Sequence, residues 1–173
     1  MTDTRHPACD LPEQERIDYL LAVASIVWPA RVADPAELSK LGELCATLGV
    51  TGERARGVLA AASAPDRERG GGLLARFRKD ALRVALLTDV IALTFALARV
   101  ATGEATAIAW LARELDLTTA QIVLIGRYVE GVVQGHSGET LTAKLAGKLA
   151  TLPGPVPHPL VVADLAARRR RGG

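Results

Sequence analysis

"RVADPAE" (Arg31–Glu37) and "RVATGEA" (Arg99–Ala105) open alike, and each stands between an apolar run and a second stretch of helical spacing. The first is the better-marked helix start. Asp34 is an N-cap residue, Pro35 suits the first helical position, and Glu37 stands three residues after the cap, as in a capping box. Leu38, Leu41, Leu44 and Leu48 then recur at helical spacing, and Gly49 supplies a left-handed residue to stop the helix, with Val50 able to pack back. Thr51 caps a third, short helix that turns Ala55, Val58 and Leu59 inward.

Upstream, Ile17, Leu20, Leu21, Ala24, Val27 and Trp28 form one apolar stripe. Asp10 is the expected cap of that helix, Glu13 and Glu15 face the positive end of its dipole, and Pro29 ends it. Downstream, "SAPDRERGGG" (Ser63–Gly72) reads as a flexible link. A long helical region follows from Leu73, breaking near Asp80 and running to about Ala101. Its most apolar part, Val84–Val100, contains Asp89 and Arg99, so it falls short of the roughly 18–20 uninterrupted apolar residues of a spanning helix. It reads as a buried central helix.

Beyond it, Ile108, Leu111 and Leu115 mark another helix, and Thr118 with Gln121 forms a second capping box. That box opens a helix with Ile122, Ile125, Val129 and Val132 facing inward. A last stripe is Leu141, Leu145 and Leu149. "LPGPVPHP" (Leu152–Pro159) reads as a polyproline-like spacer, and "LVVADLAARRRRGG" follows it.

The two opening strings belong to a repeat. Glu37 and Glu104 are 67 positions apart (104 − 37), as are Leu41 and Ile108, Leu44 and Leu111, Leu48 and Leu115, and Thr51 and Thr118. Aligning the two "RVA" strings as well requires dropping one residue. Each half is a long helix, a turn, a helix ending in L-G-V-T or L-D-L-T, and a capped third helix. Neither half can cover its own apolar faces, so the two should pack together. The expected fold is all-α: one compact bundle of about seven helices over residues 10–152, with halves at about 14–62 and 73–134 joined by the link 63–72. Residues 153–173 form a Pro-rich spacer and basic tail.

Composition agrees with helices. Hydrophobic residues make up 49% and aromatics only 3%, so the apolar volume is Ala, Leu, Val and Ile. A net charge of +2 is too small to imply nucleic acid, and the basic stretch Arg67–Arg83 is interleaved with acids. Two cysteines, Cys9 and Cys45, make no disulfide framework, and the N-terminus lacks a secretory pattern. The expected location is cytoplasmic, with peripheral membrane association through the terminal arginines as an extension.

"ADPAE" (Ala33–Glu37), "LGVT" (Leu48–Thr51) and "LDLT" (Leu115–Thr118) resemble the motifs of the TerB-like family of tellurite-resistance proteins. The similarity covers about Gln14–Gln134, and implies a small all-α domain of two related halves. In the family, an Asp-Gly pair before the second helix is associated with an acidic, metal-linked site. Here Ala30-Arg31 stands at that place in the first half, and about Leu97-Ala98 in the second. Glu37 and Glu104 remain as metal-ligand remnants, too few for a hard cation. Helix capping is the favoured role for both.

No other chemistry assembles in the sequence. His6, His136 and His158 lack ligand-spaced partners and read as exposed, Cys45 reads as core, and Gly70–Gly72 lacks the G-K-[ST] of a phosphate loop. No catalytic residue, cofactor or metal is expected. The function read from this pattern is a non-catalytic, TerB-like interaction module in a stress- or envelope-associated bacterial assembly. The partner would be another protein, bound through Leu160, Val161, Val162 and Leu165 with Arg168, Arg169, Arg170 and Arg171, which could also contact an anionic surface. No sequence-specific nucleic-acid contact and no transmembrane segment are expected. The alternative is a metal- or small-ligand-binding stress-response protein.

Overall fold

The capping box at Asp34 forms as its residues require. The Asp34 carboxylate accepts from the Glu37 N–H at 2.9 Å, Glu37 Oε2 accepts from the Asp34 N–H at 2.7 Å, and α2 runs Pro35–Thr47. At its far end the Val50 N–H reaches the Cys45 carbonyl and the Gly49 N–H the Ala46 carbonyl, a Schellman closure with Gly49 at φ +68°. A side chain at Gly49 would also meet Arg16 Nη1 at 2.9 Å.

The computed structural model describes residues 5–28, 31–64, 67–96 and 102–157, and only the backbone at 67, 69, 80, 95–96 and 102–106. Among these residues there are eight α-helices, two short 3-10 turns and no strand. Helix α1 is Glu13–Val27, α3 Gly52–Ala62, α4 Arg67–Leu74, α5 Asp80–Ala96, α6 Thr102–Glu114, α7 Thr119–Val133 and α8 Gly138–Leu149. The 3-10 turns are Pro7–Asp10 and Ala75–Phe77.

The offset of 67 residues is carried by the helices themselves. Glu13 and Asp80 start α1 and α5, Pro35 and Thr102 start α2 and α6, and Gly52 and Thr119 start α3 and α7. The end of α6 also repeats the end of α2: the Leu117 N–H bonds to Ala112 and the Asp116 N–H to Arg113, with Asp116 at φ +56° where the first half has Gly49. The helix starts keep one constant offset, so the "RVA" strings are one residue out of the structural register.

Packing follows the same symmetry. Helices α1 and α5 lie against each other, α2 reaches across to α5, and α6 reaches across to α1. In each half the third helix packs on the first, α3 on α1 and α7 on α5. Helix α5 is buried on every side from Val84 to Thr94, because both halves close over it.

Three expectations change. Residues 67–74 are helical although three glycines there disfavour a helix by about 1 kcal/mol each. Tertiary contact overrides that preference: α4 packs along α1 so closely that a Cβ on Gly70 would lie 2.7 Å from Ser25 Cβ. Asp10 does not cap α1, which starts after Pro12 without a side-chain cap; Asp10 instead ends the Pro7–Asp10 turn. The Pro-rich segment also stays on the body as far as it is described. Leu152 joins the core, Val156 packs against it, and Pro157 is buried.

Leu111 lies fully inside the shared core, as does Leu44. Replacing either by Ala should cost about 3 kcal/mol, measured by urea unfolding followed by circular dichroism. A single transition in both variants is expected for one core.

Candidate functional site

Glu37, the first of the acidic candidates, is fully buried, and both its oxygens are engaged. Arg31 grips it with a two-pronged contact, Nη1 to Oε2 at 2.6 Å and Nη2 to Oε1 at 2.5 Å, while Oε2 also accepts from Asp34. The Arg31 hydrogen bonds hold the Glu37 carboxyl down at about 2 against the opposing effect of burial, and the Asp34 N–H adds to the lowering. The Trp28 side chain also favours the charged carboxylate. The Arg31 guanidinium therefore supplies internally the positive charge that a cation would bring. Glu104 is the third residue of α6, and its side chain lies outside the described residues. So do all eight residues of the expected tail contact, Leu160 to Val162, Leu165 and Arg168 to Arg171.

Three cations of the basic stretch make contacts within the fold. Arg76 bonds to Asp18 at 2.6 Å, Arg78 lies 3.5 Å from Glu114, and Arg83 donates to the Leu115 carbonyl at 3.3 Å. Cys45 sits in the core, and burial pushes its thiol up to about 11. His136 is exposed and bonds the Gly131 carbonyl through Nδ1. His158 lies outside the described residues.

His6 departs from its expected exposure. It is 5% exposed and meets Asp89, 2% exposed, in the middle of α5. Asp89 Oδ2 accepts from His6 Nε2 at 2.9 Å and from the Tyr19 hydroxyl at 2.7 Å. His6 Nδ1 accepts the Ala8 N–H at 3.1 Å, which places the ring proton on Nε2. The Tyr19 ring stands edge-on to both His6 and Phe77. Burial alone would lower the His6 pKa, but the charge and hydrogen bond of Asp89 outweigh it and raise it above 6.5. Burial and the same carboxylate push the Tyr19 hydroxyl well above its usual range.

One sequence signal pointed to this network. Asp89 sits in the most apolar helix of the chain, and a carboxylate there requires a partner. Its partner is 83 residues away, at a distance no local pattern spans.

Beside the network, Arg5, His6, Cys9, Arg16, Thr47, Leu48 and Gly49 line a cleft of about 290 Å³. Cys9 Sγ donates to the Thr47 carbonyl at 3.6 Å, and Arg16 Nη1 to the Leu48 carbonyl at 2.6 Å. Among the described residues no nucleophile is paired with a free base, and no group of three acidic, Cys or His side chains could hold a metal.

The fold thus defines an all-α protein of two helical halves around a buried polar network. Comparison with protein-family models, with curated proteins and with solved structures finds no match for the chain. None of the helices among the described residues is long and apolar enough to cross a membrane.

Proposed function

We propose that the chain is a non-catalytic, TerB-like helical interaction module of a stress- or envelope-associated bacterial assembly, docking on another protein through its C-terminal segment. The observation in favour is the state of Glu37. Its carboxylate is closed off by Arg31 and Asp34, so the turn that is acidic and metal-linked in the family acts here as a structural clamp.

Two measurements test this reading. Titration with calcium, magnesium or zinc should show no site tighter than about millimolar. A stoichiometric micromolar site abolished by Glu37→Gln or Glu104→Gln would reverse the conclusion. Truncation after Pro157 leaves the described body whole. The shortened chain should keep its melting temperature and lose the partner that co-purifies with the full chain; an unchanged partner would remove the docking role from residues 158–173.

The small-ligand alternative has one observation behind it, the cleft beside the N-terminal turn. Two guanidiniums line it, and Arg16 Nε is buried without a hydrogen-bond partner. Such an edge suits a small oxyanion. Calorimetry with inorganic phosphate, repeated on Arg16→Gln, tests it.

A further inference from the structure

The His6 ring ties the Pro7–Asp10 turn to α5. His6 serves two elements at once: Nε2–H is spent on Asp89 of α5, and Nδ1 caps the turn by accepting the Ala8 N–H. Both bonds are satisfied together only by the neutral Nε2–H tautomer. Behind that cap the turn closes with the Cys9 N–H on the His6 carbonyl at 2.9 Å and the Leu11 N–H on the Ala8 carbonyl at 3.2 Å. Cys9 lies within the turn, half-buried, with its thiol on Thr47 at the end of α2.

We propose that His6 is a pH-sensitive latch: neutral, it holds the Pro7–Asp10 turn shut against the end of α2, and protonated, it lets the turn open and uncovers Cys9 and the adjoining cleft.

A second ring proton converts Nδ1 from acceptor to donor. It then points at the Ala8 N–H, another donor, and the cap is lost. The opposite side of the ring behaves differently, because the imidazolium binds the buried Asp89 carboxylate more strongly than the neutral ring does. Protonation therefore keeps the ring anchored on α5 while releasing the turn beyond it. From α5 the group facing His6 is Asp89, and from α1 it is Tyr19. At the N-terminal turn Arg5 pairs with Asp10 at 3.4 Å, and Arg16 of α1 lines the same cleft. Of these, only His6 has an ordinary pKa near neutrality. The rise caused by Asp89 brings its transition toward physiological pH.

The test uses the full chain, with the His6 ring followed by NMR between pH 5 and 9 and amide exchange measured at Ala8. As His6 becomes charged, Ala8 protection should fall by about tenfold, the scale of one lost capping bond. Alkylation of Cys9 by iodoacetamide gives a second reading. Taking the rate ratio to His6→Gln at each pH cancels the ionisation of the thiol, and Cys45 is shielded by its burial and high pKa. That ratio should rise as pH falls through the His6 midpoint. Ala8 protection that stays constant while His6 titrates would overturn the latch, as would a His6 that does not titrate in this range. If His6→Gln does not fold, the exchange measurement on the unmodified chain still decides.

Discussion

Asp89→Ala should be among the most damaging single changes in the molecule, costing about 4 kcal/mol in urea unfolding. It strands two buried donors, the Tyr19 hydroxyl and His6 Nε2–H, and leaves a gap inside a helix that is covered on all sides. Asp89→Asn should cost less, because one amide oxygen can still accept, but it removes the charge. The His6 midpoint then moves from above 6.5 to below it, since burial is the largest influence left. Stability against pH should change accordingly. With Asp89 present, the raised His6 pKa adds stability that is complete below 6.5 and is lost as pH rises through the folded-state value. In Asp89→Asn the slope reverses, and stability increases with pH across the His6 titration. An Asp89→Asn variant with an unmoved His6 midpoint would remove the carboxylate as the cause.

Arg31→Ala is expected to cost about 3 kcal/mol near neutral pH, because Glu37 stays buried without its two-pronged partner. The acid limb of the stability curve identifies the mechanism. Glu37 is held at about 2 in the folded protein, so its contribution is fully present above the unfolded value of 4.5 and is lost as pH falls toward 2. That contribution is on the order of 1–3 kcal/mol, reduced from the full shift because Arg31 is partly exposed to solvent. The gap between the unmodified chain and Arg31→Ala should therefore narrow on acidification and nearly close at pH 2. A constant gap would mean that Arg31 acts through packing alone. Glu37→Gln should show a similar loss at neutral pH, with part of the cap retained through its amide oxygen.

The closed state of Glu37 bears directly on function. A carboxylate available to a cation must trade water for metal, whereas this one would first have to release a guanidinium and a capping N–H. The neighbour of this acid decides its chemistry.

Local rules made much of this fold readable. Asp34-Pro35-x-Glu37 and Thr118-x-x-Gln121 each form the capping box that their side chains specify, because donor, acceptor and spacing lie within one turn. Leu48-Gly49-Val50 and Leu115-Asp116-Leu117 end their helices in the same way for the same reason. The all-helical class and the 67-residue offset of the helix starts follow from such short-range signals, repeated twice.

Wherever the deciding contact lies far along the chain, those rules give out. Three glycines at 70–72 locally favour a link, and they become helix because α1 offers Ser25 for a close approach that Gly70 permits. Leu152 to Pro157 locally resembles a spacer, yet the bundle leaves an apolar seat for Leu152. Within its own segment the His6 ring meets only the Ala8 N–H, and it is buried because Asp89, deep in α5, needs a donor. Hydrogen bonds within one helical turn are encoded by sequence spacing, so they were legible. Burial is encoded by which surfaces meet, and only the folded arrangement of α1, α5 and the N-terminal turn determined that.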